Sequence, residues 1–343
     1  MKIFKCPNCS STVFFENTRC VTCNSVLGYN VNTDEFDLPK GYNSNINTTL
    51  KYCHNHQFSV CNWLIEDTDK NRFCKACELN RKVPNKSDIE GFKKWQKLEI
   101  AKHRLIYQLI KLKLPIDSKL NKTHGIAFDF LSENNKDKLV TGHSNGVITI
   151  LLSEADSVHR ELLKKQMHEV YRTLLGHFRH EIGHYYWMLL FENQDDLQDF
   201  RNLFGDETLD YGLALEKHYK NGSPSNWNQK FISKYASSHP WEDWAETWAH
   251  YLHIMETLET GHHLGLTFTD SLAQNHLNHS SNCPNPYTTN DFKIIFDSNM
   301  QLTSAVNSLN RSMGVPDIYP FIVPNEVFKK LDFIHRLLLR SNN

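Results

Sequence analysis

The chain has 343 residues, of which 40% are hydrophobic and 22% charged, and its formal net charge is −1. That balance reads as a soluble globular protein of more than one domain. No segment reaches the 18 or more apolar residues of a membrane helix. The start, Met1-Lys2-Ile3-Phe4-Lys5-Cys6, holds no apolar run able to act as a signal peptide. The expected location is therefore cytoplasmic, away from membranes.

Metal chemistry begins at once. Cys6-Pro7-Asn8-Cys9 and Cys20-Val21-Thr22-Cys23 form two CxxC pairs with ten residues between them, the spacing of the two knuckles of a zinc ribbon. A disulfide framework would need an oxidising compartment. A module of residues 1–30 cannot bury enough surface to fold alone, so a zinc ion is expected to stabilise it. Residues 31–50, rich in Asn and Thr with Pro39 and Gly41, read as a linker or long loop. A second module, residues 51–85, holds Cys53, Cys61, Cys74 and Cys77. Its first pair is widely spaced, and His54 and His56 compete as ligands. Free buried thiols, or a redox pair at Cys74 and Cys77, are the alternatives. Cys283 is left over and reads as incidental.

Residues 81–122 carry 12 Lys or Arg against Asp88, Glu90, Glu99 and Asp117, a local net of +8. Phe92, Trp95, Leu98, Leu105, Ile106, Leu109 and Leu112 recur there at helical spacing, giving a basic amphipathic connecting helix within residues 86–118 that ends before Pro115. The charge reads as a solvated helix face in preference to a nucleic-acid surface. Lys138 to Thr141 and Val147 to Leu152 flank Ser144-Asn145-Gly146, a hairpin signal. Either this strand is an edge on which an extended substrate pairs, or it is an internal strand of a small sheet. Ser153-Glu154-Ala155-Asp156 resembles a capping box opening a helix. From residue 160 the chain reads as mostly helical, with loops near 221–228 and 277–290.

The densest chemistry is His180-Glu181-Ile182-Gly183-His184. At about 100° per residue, His180 and His184 stack on one helix face and both imidazoles reach one ion. Glu181 is rotated away, placed to take a proton from water at the metal. The competing reading is a buried helix with polar residues, since Leu174, Leu175, Phe178, Ile182, Tyr185, Tyr186, Leu189 and Leu190 are apolar at helical spacing. A catalytic zinc keeps three protein ligands and an open position. The extended pattern with a third histidine fails, because Trp187 replaces its glycine and Leu190 its histidine. The best donor is the stretch from His239 to His250. Pro240 suits a helix start, and Glu242 and Glu246 share a face. One of them is the expected third ligand and the other an acceptor that fixes a ligand histidine's tautomer. Spacing alone does not order the two, and a solvated acidic first turn is the plainer reading. His239, His250 and His253 are weaker ligand candidates.

On these residues the chain resembles the bacterial zinc-binding metallopeptidases that carry an N-terminal zinc ribbon. The resemblance runs almost end to end. It includes Tyr171-Arg172-Thr173-Leu174-Leu175-Gly176-His177-Phe178-Arg179, Ser237-Ser238-His239-Pro240-Trp241-Glu242-Asp243-Trp244, and Asn310-Arg311-Ser312-Met313-Gly314. It implies an α+β, mostly helical zincin-like metallopeptidase domain with a small sheet over residues 119–343, preceded by the zinc ribbon and the cysteine zinc module. It also favours the four cysteines 53, 61, 74 and 77 as a second structural site.

The zinc site alone is similar to that of anthrax lethal factor, a Glu-type (gluzincin) site with a ligand Glu, a supporting Glu four residues later and a Tyr seven residues before the ligand. Glu242, Glu246 and Tyr235 match those places. The likeness implies Glu242 as ligand, Glu246 behind a histidine, and Tyr235 as donor to the oxyanion. His239 is a further candidate for that role, against a plain position at a helix entrance.

The expected function is zinc-dependent hydrolysis of peptide bonds with Glu181 as general base. Three zinc ions are expected, one catalytic and two structural. Partners are a peptide or protein substrate, with the zinc modules available to a protein partner. Two other classes compete: an adaptor binding protein or nucleic acid with a vestigial zincin domain, and a zinc amidohydrolase acting on a non-peptide amide. An intact Glu181 speaks against the first, because a zinc store needs only ligands.

Overall fold

The computed structural model describes residues 1–42, 48–68, 70–133, 141–166, 172–191, 194–269 and 280–341. The chain is mixed α/β, with small sheets. Two compact units divide it, one made of Met1–Ile110 with Pro115–Arg160 and the other of Lys111–Leu114 with Glu161–Asn343.

In the first unit, β1 (Phe4–Lys5) pairs with β2 (Thr12–Val13), β3 (Gly28–Asn30) with β4 (Glu35–Asp37), and β5 (Leu50–Tyr52) with β6 (Leu64–Glu66), all antiparallel. Strands this short need packing to persist. They get it from one aromatic core. Tyr29 packs edge-on against Trp63 at 5.0 Å, and Phe15 lies 5.1 Å from Tyr29 and 5.1 Å from Tyr107. The stretch read as a linker at 31–50 therefore begins inside a β3–β4 hairpin. The amide of Tyr29, in β3, donates to the Asn62 carbonyl, and the Asn62 side chain in turn donates to the Phe15 carbonyl at 2.6 Å. The two cysteine modules are fused around shared rings, not strung on a spacer.

β7 (Asn80–Lys82) follows, then α1 (Ile89–Lys111), β8 (Ala127–Leu131), β9 (Gly142–Ser144) and β10 (Val147–Leu151). The four strands form one sheet in the order β7-β8-β10-β9. Asn145 and Gly146 make the β9–β10 turn with φ of 45° and 77°, the left-handed pair that Asn-Gly accepts. β10 is an internal strand and β9 is the edge; residues 138–140 lie outside the described residues. Helix α1 runs as its periodicity predicts, with Trp95, Leu98, Leu105, Ile106, Leu109 and Leu112 buried.

β8 and β10 pack within the first unit. One expectation is corrected here: Ser153 does not cap a helix, for its hydroxyl donates to Glu133. Residues 152–155 form a 3-10 turn, and Asp156 caps α2 (Ser157–Gln166) by accepting from the Val158 and His159 amides.

The second unit holds α3 (Leu174–Leu190), α4 (Gln194–Phe204), α5 (Tyr211–Asn221), α6 (Pro240–His263), the hairpin β11 (Thr267–Thr269) with β12 (Ser280–Asn282), α7 (Phe292–Ser312) and α8 (Asn325–Ser341). Helix α6 is the centre, buried along most of its length and packed by α3, α4, α7 and α8. Side-chain caps fix the helix starts. Thr173 accepts from Gly176 for α3, Asp210 from Leu213 for α5 and Asp291 from Lys293 for α7. At the end of α7, Gly314 has φ +72° and donates to Arg311 while Val315 donates to Asn310, a Schellman cap. Arg311 pairs with Asp317 at 2.6 Å. The Asn310–Gly314 motif is thereby accounted for as a helix stop. Tyr171 of the motif before α3 lies outside the described residues, as do residues 277–279 of the expected loop. Among the described residues, no helix is long and apolar enough to cross a membrane.

Candidate metal centres

Each N-terminal CxxC closes a tight turn. Ser10 donates to the Cys6 carbonyl and Asn24 to the Cys20 carbonyl, both at 2.9 Å, with φ of 58° and 56°. The turns aim four thiols inward, with Cys6 Sγ 3.7 Å from Cys23 Sγ and Cys9 Sγ 3.6 Å from Cys20 Sγ. Tetrahedral zinc with bonds of about 2.3 Å requires sulfurs about 3.8 Å apart, whereas a disulfide needs about 2.05 Å. The set fits zinc. The Ser25 hydroxyl and the Asn8 side chain push the Cys23 thiol down to about 5, towards the thiolate a metal takes.

The second set, Cys53, Cys61, Cys74 and Cys77, is wholly buried and meets the same criterion, with Cys61 Sγ 3.7 Å from Cys74 Sγ. Backbone amides point at its sulfurs: Cys74 N at Cys53 and Trp63 N at Cys61. His54 and His56, the rival ligands, are drawn elsewhere. His56 bonds the Cys61 carbonyl and stacks on Tyr52, while His54 meets Gln57 and Arg72. Sequence reasoning missed the groups behind the set. On α1, His103 Nε2 lies 3.6 Å from Cys77 Sγ and Glu99 Oε1 3.7 Å from it. Lys102, fully buried, pairs with Glu99 at 2.6 Å. A buried carboxylate needs a cation, which Lys102 supplies to Glu99. The signal was present as three polar residues at 99, 102 and 103, interleaved with the apolar stripe of α1.

The third set joins α3 and α6. The helices cross at Gly183, whose carbonyl accepts from Trp244 Nε1 at 2.8 Å. A Cβ there would stand 3.1 Å from Ala245 Cα and 3.2 Å from Trp248 Cβ, so a side chain would force the helices apart by a few tenths of an ångström. We expect Gly183→Ala to cost about 1–3 kcal/mol in urea unfolding and to lower metal affinity at the set, because the Ala245 backbone and the buried Trp248 side chain have little room to shift.

The close crossing brings His180 and His184 onto the first turn of α6. His180 Nε2 is 3.0 Å from Glu242 Oε2 and 3.2 Å from His184 Nε2, and His184 Nε2 is 3.6 Å from Glu242 Oε1. One atom from each of the three lies within 4.8 Å of the others. Glu242 Oε2 is buried without a hydrogen-bond partner, a costly state unless a cation meets it. Burial alone would raise the Glu242 carboxyl, but His184 and His180 hold it well below the usual carboxylate range. On the far side of His180, Nδ1 meets Glu246 Oε1 at 2.8 Å. The donor set fits zinc: two imidazoles and an ionised carboxylate, with an acceptor behind one ligand.

Around this set, Glu181 is half-buried on α3. Tyr235, in the 3-10 turn Tyr235–Ser237, has its ring 6.0 Å from that of His180. Tyr211, at the start of α5 and absent from the sequence reading, donates to Glu242 Oε1 at 2.6 Å. Burial, then the Glu242 charge, pushes both phenols up, so both hydroxyls stay protonated donors. Tyr211 stands far from the metal motifs in sequence, and nothing local marks it.

His239 is placed differently from its suggested catalytic role. Its Nδ1 accepts from the Trp241 amide, capping α6, and its Nε2 donates to the Leu209 carbonyl, so both nitrogens are held by backbone groups. His250 and His253 also lie outside the set. His250 Nδ1 meets the Tyr319 hydroxyl at 2.8 Å, and His253 meets Arg179, which also pairs with Glu256. Burial lowers the His250 imidazole to about 4.

The chain belongs to a zinc-binding metallopeptidase family: the family model described as "Putative zinc-binding metallo-peptidase" matches residues 91–337, and a zinc-ribbon domain model matches residues 3–88. Uncharacterized proteins of Mycobacterium bovis and of two strains of Mycobacterium tuberculosis are each 40% identical over 347 residues, covering 98% of this chain and 95% of the relative. No solved structure matches it.

Proposed function

We propose that the chain is a zinc-dependent peptidase of the Glu-type zincin class, with His180, His184 and Glu242 holding one catalytic zinc and the two cysteine sets holding structural zinc. The observation that carries this reading is the convergence of those three side chains, with Glu246 backing His180 and Glu181 on the same turn. When bound, zinc supplies Lewis acidity that lowers the pKa of water to about 7 and polarises a carbonyl. Glu181 takes the proton of the attacking water and passes it to the departing amine. Tyr235, a protonated donor beside the ligands, stabilises the oxyanion as it develops. Tyr211 fixes Glu242 from behind, and Glu246 holds His180 in the tautomer that leaves Nε2 free for the ion.

Two measurements test the arrangement. Glu246→Gln is expected to weaken catalytic zinc about 10–100-fold in a competitive chelator titration while both cysteine sets stay loaded. Digestion of a peptide library by the zinc-loaded chain should give products that a chelator abolishes; no product from any peptide would contradict the reading.

A further inference from the structure

A cavity of about 860 Å³ opens in the first unit, against the outer side of the second cysteine set, where Cys77 forms part of its wall. Its apolar lining is aromatic. Phe58 meets Phe92 edge-on at 5.6 Å, Phe92 meets Trp95 at 5.1 Å, and Phe73 is more than a third exposed. Phe58 and Phe92 are half-buried at the cavity, with Trp95 buried behind them.

The polar groups of the wall divide into committed and free. Arg81 is tied to Asp129 by two hydrogen bonds, Asn80 is held by Glu99 and Lys102, and Glu78 accepts from Asn71. Asn55 is different. It is only 7% exposed, it lines the cavity, and its side-chain amide makes no hydrogen bond among the described residues. Its amide therefore keeps a donor and an acceptor open to the cavity, which a ligand offering both an acceptor and a donor would pair. One peptide group offers both. Lys86 lies over the Phe58 ring at 4.2 Å, with no carboxylate partner among the described residues.

We infer that this cavity docks an extended peptide segment carrying an aromatic or long aliphatic side chain next to a carboxylate. The rings take the side chain, Asn55 pairs with the adjoining peptide group, and Lys86 meets the carboxylate. Nucleic acid fits less well, since a strand needs several phosphate contacts and the wall offers one free cation, Lys86, among the described residues. The docked segment is a handle for recruiting substrate, a role that rests on the peptidase reading, whereas the binding itself does not.

The test uses the full zinc-loaded chain carrying Glu181→Gln, so that no peptide is consumed and failure of hydrolysis leaves the binding result intact. The probe is a fluorescent peptide with Glu-Phe-Glu flanked by glycines, followed by anisotropy. Replacing its Phe by Ala is expected to weaken binding at least about tenfold, as are Asn55→Ala and Lys86→Glu in the protein. The Lys-Phe-Lys peptide should bind the native cavity poorly and the Lys86→Glu variant better. Zinc content and circular dichroism verify folding, and if Asn55→Ala does not fold, the exposed Lys86 still decides. Equal affinity across the variants, no peptide binding, or displacement by a single-stranded oligonucleotide with steep salt dependence would overturn the proposal.

Discussion

Glu181→Gln is expected to leave zinc content unchanged and to reduce peptide hydrolysis by about 10²–10⁴-fold, the usual contribution of general acid–base catalysis. The amide keeps the shape of the carboxylate but accepts no proton. Glu181 lies between His180 and His184 in sequence yet outside the converging set, so its loss removes no ligand atom. His180→Ala behaves differently, for it deletes a ligand and leaves Glu242 and Glu246 without the imidazole between them. That variant should lose both the catalytic zinc and the activity. The pair separates the base from the ligands, and full activity in purified Glu181→Gln would sink the mechanism.

The second large effect is on folding. Cys61→Ser is expected to remove one zinc per chain and to unfold the first unit, seen as lost near-ultraviolet dichroism and rapid proteolysis within residues 1–160. Binding of structural zinc is worth about 10–16 kcal/mol in small modules, as much as a domain's entire net stability. Trp63 follows Cys61 by two residues and packs on Tyr29 and Phe15, so release of the second set also strips the core beneath the first. Cys283→Ser is the control. That thiol is buried near Gly261 and belongs to no set of ligands among the described residues, so all zinc should be retained.

Much of this was legible in the sequence because metal ligation imposes strict spacing. The two CxxC pairs, the i, i+4 histidines and Glu242 with Glu246 are all one-turn patterns, and a turn is the length over which sequence fixes geometry. Pro240 marked the start of α6 and Asn145-Gly146 the turn of a hairpin for the same reason. What stayed hidden depends on long-range packing. Tyr211 reaches Glu242 across 31 residues, and His103 reaches Cys77 across 26. The misread stretch at 31–50 is instructive. Its polar composition suggested a linker or long loop, but Glu35–Asp37 pairs with Gly28–Asn30 and Phe36 packs on Phe4 at 5.2 Å. Likewise His239 looked reactive beside Glu242 until both ring nitrogens were found on backbone groups. A histidine before Pro at a helix entrance is a cap wherever the following amides lack partners.

The most direct test of the central claim is a zinc count on the purified native chain and on His180→Ala, with each protein concentration fixed by amino-acid analysis. The account predicts three zinc ions per native chain and two in the variant. Two ions in both would mean that His180, His184 and Glu242 hold no zinc, and the catalytic reading would fall.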